Sequence, residues 1–189
     1  MLFKRRHKQD FVQRIRVMVW PRTGWRRSTQ YLIKRILRLS GTPHAIALGC
    51  AAGVFASFTP FVGFHFAIGF AVAWVTGGNL IASALGTFIG NPLTFPLIWA
   101  MTFKLGNIML GRGAGHPLNL DMSQGIMSHS LDVLLPIIKP MFIGSLPLGI
   151  LAALACYFPI RGMVETYQAR RRNRLRERAL DTNREASVP

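Results

Sequence analysis

Acidic residues are scarce in this chain: seven Asp and Glu stand against 23 Lys and Arg in 189 residues. Between Ala45 and Phe103 no charged residue of either sign occurs. A water-facing domain carries charge on its exposed side, so a stretch of this length takes lipid as its natural solvent. The missing carboxylates also exclude paired acid–base catalysis and carboxylate metal sites from the embedded part. Cysteine is nearly as rare. Cys50 and Cys156 lie in apolar segments without CxxC or Cys/His spacing, which reads as two small core side chains. No charged n-region, short apolar run and small-residue cleavage site occur in order, so a cleaved signal peptide is not expected. Gly111-Arg112-Gly113-Ala114-Gly115 follows an apolar helical stretch and lacks the strand context of a phosphate-binding loop. The sequence points away from an enzyme, with no catalytic residue, cofactor or metal expected.

What is present is segregated. Hydrophobic residues make up 50% of the chain, yet the formal net charge is +16. Twelve of the 23 basic residues precede Ser40 and eight follow Pro159, leaving only Lys104, Arg112 and Lys139 between. Basic flanks on both sides of an apolar middle place both termini in the cytoplasm. They give membrane lipids, through anionic headgroups, as the expected partner, and no nucleic acid.

The expected architecture is an all-α membrane protein, a small helical bundle with Pro-broken or re-entrant helical hairpins and basic cytoplasmic ends. Residues 1–40 form a basic amphipathic segment at the cytoplasmic face, with Leu32, Ile36 and Leu39 at helical spacing. Residues 41–159 form the membrane domain. Residues 160–189 form a basic cytoplasmic helix, expected over Glu165–Arg178, and a disordered tail from Ala179. Within the membrane domain, Thr42-Pro43 opens a helix. Ala45 to Ser57 rises about 20 Å and Phe61 to Val75 about 22 Å, each short of a hydrocarbon core of roughly 30 Å. A hairpin turning at Phe58-Thr59-Pro60 and returning at Gly77-Gly78-Asn79 solves that arithmetic. Leu80 to Ile89 is shorter still, and Gly90-Asn91-Pro92 interrupts it before Leu93 to Leu110 continues. Ile126 to Ile138 reads as interfacial, and Pro140 to Phe158 as the last crossing, with the chain turning basic after Pro159. Two crossings plus a re-entrant hairpin, or four short crossings, both return the chain to the cytoplasm.

The two breaks look alike, Gly53-Val54-Phe55 before Thr59-Pro60 and Gly86-Thr87-Phe88 before Asn91-Pro92. Interrupted apolar segments in corresponding positions point to a duplicated core of the transport type. Thr59, Pro60, His65, Asn79, Asn91, Pro92 and Thr94 are therefore the candidates for lining a ligand path. Their competing role is structural. Uncharged polar residues cap broken helix ends, and a lone histidine commonly bonds a nearby carbonyl. Gly49 and Gly53, and Gly86 and Gly90, each form a GxxxG step, read first as helix packing within the subunit.

The run Gly41-Thr42-Pro43-His44-Ala45-Ile46-Ala47-Leu48-Gly49, with Gly53-Val54-Phe55, Thr59-Pro60-Phe61-Val62-Gly63, Asn79 and Gly90-Asn91-Pro92-Leu93-Thr94, resembles a bacterial family catalogued as domain of unknown function 2062. The resemblance covers roughly residues 20–158. It implies a small multi-pass protein of the bacterial inner membrane, in a family where some copies of the domain are joined to glycosyltransferases. It carries no assigned activity or ligand. Two roles stay open: handling or passing a small solute or lipid-linked molecule, as a monomer or homo-oligomer, and a non-transporting accessory or scaffold role for an envelope or glycan-related membrane enzyme.

Overall fold

The computed structural model describes residues 25–111 and 130–186, and among them every regular element is helical. The expectations for residues 1–24 and for the segment 112–129 lie outside the described residues. The chain divides into a short unit, Met1–Arg35, and a main unit, Ile36–Pro189. Helix α1, Trp25–Leu37, runs across that division. In the first unit Arg35 donates to the Tyr31 hydroxyl one turn earlier, at 3.4 Å.

The main unit is built around α2, Pro43–Phe58. Thr42 caps its start, with Oγ1 accepting from the Ala45 N–H at 3.1 Å, and Pro43 occupies the first turn, where its missing N–H leaves no bond unmade. The helix is apolar all round and rich in Ala and Gly, so neighbours approach it closely from several sides. Helix α3, His65–Thr76, returns antiparallel beside it, with Gly69 next to Ala56 and Gly78 next to Leu48 and Gly49. Gly77, at φ 73, ends α3 in the left-handed conformation that a side chain would strain.

Helix α4, Leu80–Gly86, then runs parallel to α2 and ends in a 3-10 turn, Thr87–Ile89. Ala82 meets Gly49, Gly86 reaches Gly53, and Gly90 meets Ser57, a constant offset along the two segments. A methyl group on Gly53 would run into the Ser83 carbonyl. The first GxxxG step therefore packs within the chain. The two look-alike stretches lie side by side in the same direction.

Helix α5 spans Phe95–Met109 and α6 spans Ser130–Ala186. Gly144 lies against the Thr102 carbonyl and Gly106 against that of Pro140, so these two helices cross antiparallel with backbones in contact. Farther along α6, Gly149 meets Phe55 and Phe58, and Tyr157 meets His44. Helix α2 is thus also antiparallel to α6, and α2 and α5 follow one another along it. From Pro140 to Tyr157 the shared height is about 26 Å by helical rise.

Helix α6 corrects two expectations. It passes without interruption through Pro136, Pro140, Pro147 and Pro159, so the last crossing and the basic helix expected from Glu165 are one element. It also continues to Ala186, through most of the stretch expected as a disordered tail. Beyond Gly162 the sequence has neither Gly nor Pro before Ala186 and is rich in Arg, Leu, Glu and Ala, which sustain a helix with little packing. Upstream, the backbone carbonyls that proline leaves unbonded are tolerated in helices that neighbouring helices cover.

Ile46, Cys50, Ala82 and Val164 form the apolar core cluster, with Ile36, Leu37, Leu39, Cys156 and Ile160 packed against it. Elsewhere Val54, Leu85, Ile98 and Met141 are buried among small or polar residues, Ala47, Ala51, Ser57, Ser83, Thr87, Thr102, Asn107 and Ser145. Many large apolar side chains point outward. Phe64 is 66% exposed and Trp74 78%, and Phe61, Phe66, Phe70, Phe88, Leu97, Ile150 and Leu151 are exposed as well.

Candidate functional site

The first break follows α2. The Thr59 N–H and its Oγ1 both donate to the Ala56 carbonyl, at 3.1 and 2.7 Å, so the hydroxyl is consumed in ending the helix. Pro60 follows, its carbonyl accepting from Val62 at 3.1 Å, and two short turns lead into α3. His65, the first residue of α3, is buried, with Nε2 3.3 Å from the Thr59 carbonyl. It bridges the two sides of the break.

At the second break Asn91 and Thr94 cap one another. Asn91 Oδ1 accepts from the N–H groups of Leu93 and Thr94 at 2.9 and 3.1 Å. Thr94 Oγ1 accepts from the Asn91 N–H at 3.0 Å and donates to the Ile89 carbonyl at 2.6 Å. This is the physical content of the Asn-Pro-x-Thr motif: Pro92 starts a turn, and the flanking side chains satisfy the amides freed by the break. Pro92 itself is exposed.

The two breaks meet. Phe95, directly after Thr94, stacks on His65 at 5.3 Å between ring centroids and 24° between planes. Trp99, one turn farther, stacks on Phe95 at 5.6 Å and 23°. Ser57, just before the first break, donates to the carbonyls of Gly53 and Thr87 at 3.0 and 3.2 Å and touches Gly90 of the second. Thr59, Pro60, His65, Asn91, Pro92 and Thr94 therefore share one region of the fold. Asn79 is placed apart from them. It caps α4 through Oδ1 to the Ala82 N–H at 2.9 Å, while its own N–H donates to Ala45 at 2.8 Å and its Nδ2 to Ser40 at 3.2 Å. Ala45 is fourteen residues from Thr59, about 21 Å along α2.

Sequence reasoning did not single out Phe95, Trp99, Ser57 or Ser83. Phe95 and Trp99 are four residues apart in an apolar helix, a spacing that stacks rings on one face, but nothing local marks His65 as their neighbour. The Trp99 Nε1, Ser83 Oγ and Asn107 Nδ2 are buried with no hydrogen-bond partner among the described residues. Ser83 faces Gly69 at the α3–α4 contact. In an apolar surrounding each such group is costly, and water or a polar ligand group would satisfy it. No charged side chain among the described residues belongs to the joint. Among the described residues no three His, Cys, Asp or Glu side chains are grouped as a metal would need. The arrangement offers uncharged hydrogen-bonding groups and an aromatic face.

At the opposite end of α2, His44 Nδ1 and the Tyr157 hydroxyl share a hydrogen bond of 2.7 Å, and Arg161 donates to the same hydroxyl at 3.2 Å. Gln168 donates to the Gly41 carbonyl at 3.0 Å. Neutral and cationic polar groups thus gather where the apolar stretch of α6 ends.

A family described as an uncharacterized protein conserved in bacteria, domain of unknown function 2062, matches residues 26–173. No curated protein and no solved structure shows a match to the chain.

Proposed function

The chain belongs to the bacterial family of domain of unknown function 2062, and from that premise we propose that it is a multi-pass inner-membrane protein, not an enzyme, in which the joint between the two helix breaks handles or passes a small solute or lipid-linked molecule. Helix α6 is, among the described residues, the one helix long and apolar enough to cross a membrane. The large outward apolar side chains and the small, polar interior support lipid as the surrounding medium, since soluble surfaces rarely carry such continuous apolar area. In this reading α2 and α3 form a re-entrant hairpin, α4 and α5 form a broken crossing, and α6 completes the return, leaving both termini in the cytoplasm. The shared height of about 26 Å along α6 fits a hydrocarbon core of roughly 30 Å.

The observation that carries the role is the meeting of the breaks through His65 and Phe95. Helices interrupted inside a membrane bring backbone polar groups to mid-depth, which lipid does not tolerate unless protein or an aqueous path satisfies them. Single cysteines at Thr59 and Asn91, in protein lacking Cys50 and Cys156, test it. Labelling by an impermeant thiol reagent at both positions is the expected result. Protection at both, with labelling at Gly115, would make the breaks closed joints and end the path reading.

A second reading has its own observation. Helix α6 extends about 38 Å past Arg161, and from Arg170 to Asp181 it is exposed and rich in arginine. It suits an accessory or scaffold protein that docks an envelope or glycan-related enzyme. Truncation after Arg172 that removes function while Asn91→Ala retains it would favour this reading over the path.

A further inference from the structure

Leu37, at the end of α1, faces α6 where that helix leaves the apolar bundle. Between them lies a groove of about 370 Å³, bounded on α6 by Gly162, Met163, Thr166, Tyr167 and Arg170. These α6 positions recur at helical spacing on one side. The groove is graded along its length. Leu37 and Met163 give an apolar end next to the core cluster, which Leu37 joins. Tyr167 and Arg170 give a polar end, and among the described residues neither the Tyr167 hydroxyl nor the Arg170 guanidinium is held by a hydrogen bond or ion pair. Gly162 forms the floor. A Cβ placed there meets nothing within 4 Å, so the space above it is open.

We propose that this groove binds the headgroup of an anionic phospholipid, a proposal that rests on the membrane reading above. Arg170 presents a forked donor pair matched to a phosphate diester, and the Tyr167 hydroxyl adds a donor beside it. Met163 and Leu37 receive the glycerol and the first acyl carbons. From Met163 to Arg170 the helix rises about 10 Å, comparable to the headgroup layer of roughly 5–8 Å per leaflet. The groove opens directly after Ile160, where the apolar stretch ends and Arg161 begins the basic one, which places it at headgroup depth on the positively charged side. Charge complementarity selects the occupant. The arginine of the groove stands at the root of a helix that carries seven further Arg between Arg161 and Arg184, and the cytoplasmic leaflet is rich in anionic lipid.

The test uses the full chain in phosphatidylcholine nanodiscs containing a minority of phosphatidylglycerol, with retained lipids counted by native mass spectrometry after release. Wild type should keep one phosphatidylglycerol in preference to phosphatidylcholine. Gly162→Leu, whose Cβ meets nothing within 4 Å and whose side chain occupies the groove, and Arg170→Gln should each weaken that preference about fivefold, while Arg176→Gln on the exposed part of α6 leaves it unchanged. Equal retention in all four proteins would overturn the proposal. Displacement of the lipid by soluble glycerol phosphate would overturn it too, making the groove a site for a free phosphate compound. Alkaline extraction of cell membranes separates the two levels. Release of the chain into the soluble fraction would sink the membrane reading itself, whereas retention with unselective lipid binding would sink only the groove.

Discussion

The imidazole of His65 lies face to face with the ring of Phe95, 5.3 Å between centroids, and so joins the start of α3 to the start of α5 across two separate chain breaks. The same imidazole reaches the Thr59 carbonyl at 3.3 Å. One side chain therefore performs two tasks, a hydrogen bond inside one break and a stacked contact with the other, and substitutions can separate them.

His65→Phe keeps the ring ladder with Phe95 and Trp99 and loses the hydrogen bond; His65→Ala loses both. The expected destabilisation is about 1 kcal/mol for Phe and 2–3 kcal/mol for Ala. Thermal unfolding in detergent checks the order. Equal losses would show that the stacking contributes nothing.

Asn91→Ala removes the acceptor for two backbone amides at the second break, for an expected loss of about 1 kcal/mol, and Asn91→Ser should recover part of it. A path role adds a functional defect larger than this stability loss. Assaying Asn91→Ser beside Asn91→Ala measures the difference, because the serine restores capping with a shorter side chain.

Gly53→Val drives a Cβ and its two methyl groups against the Ser83 carbonyl and the Gly86 backbone. Overpacking of this kind costs about 1–3 kcal/mol. Gly162→Ala, with open space around it and a better helix former in place, should be neutral or slightly stabilising. Parallel melting curves for the two variants give the comparison, and similar behaviour would mean that α2 and α4 do not pack as described.

Val164 is fully buried against Ile46, Cys50 and Ala82, three residues past the point where α6 turns basic. Val164→Ala should cost about 1–2.5 kcal/mol. Truncation after Arg172, which spares Val164 and the Gln168 contact to Gly41, should leave the melting temperature nearly unchanged. Truncation after Ile160 should leave little folded protein on size-exclusion chromatography.

Cys50 is buried in that cluster and Cys156 half-buried at its edge. A thiol reagent added to the folded protein should modify Cys156 first, with Cys50 reacting only after denaturation. Intact-mass measurement over time distinguishes the two sites once each is also replaced by serine.

Local chemistry made much of this architecture readable. Thr42-Pro43 and Asn79 are helix starts because an oxygen side chain followed by a helical run has few other uses, and both cap as expected. Gly-Asn-Pro and Thr-Pro mark breaks because proline removes a donor and the polar neighbours supply substitutes. The continuity of α6 was not readable. Four prolines in one helix argue for stops in water, and what permits them is tertiary: Gly106 and Gly144 let α5 lie on the α6 backbone. Sequence spacing likewise brought Thr59 and Asn91 forward but missed Phe95 and Trp99, since a stacked ring is defined by its partner and leaves no local mark. Asn79 joins the candidates as an uncharged polar residue beside a chain reversal, and its hydrogen bonds to Ala45 and Ser40 place it at the other end of α2.

The unbroken run of α6 has a mechanical corollary. Its inner half is gripped by α2 and α5, Val164 and Gln168 still hold it to the bundle, and from Gln168 to Ala186 it continues as an arm of about 27 Å. A reorientation of about 10° just past Gln168 would swing the Ala186 end through about 5 Å, by the same rise per residue. A small change in how the glycine-lined contacts seat at the base would thus be enlarged at the far tip of the arginine-bearing arm.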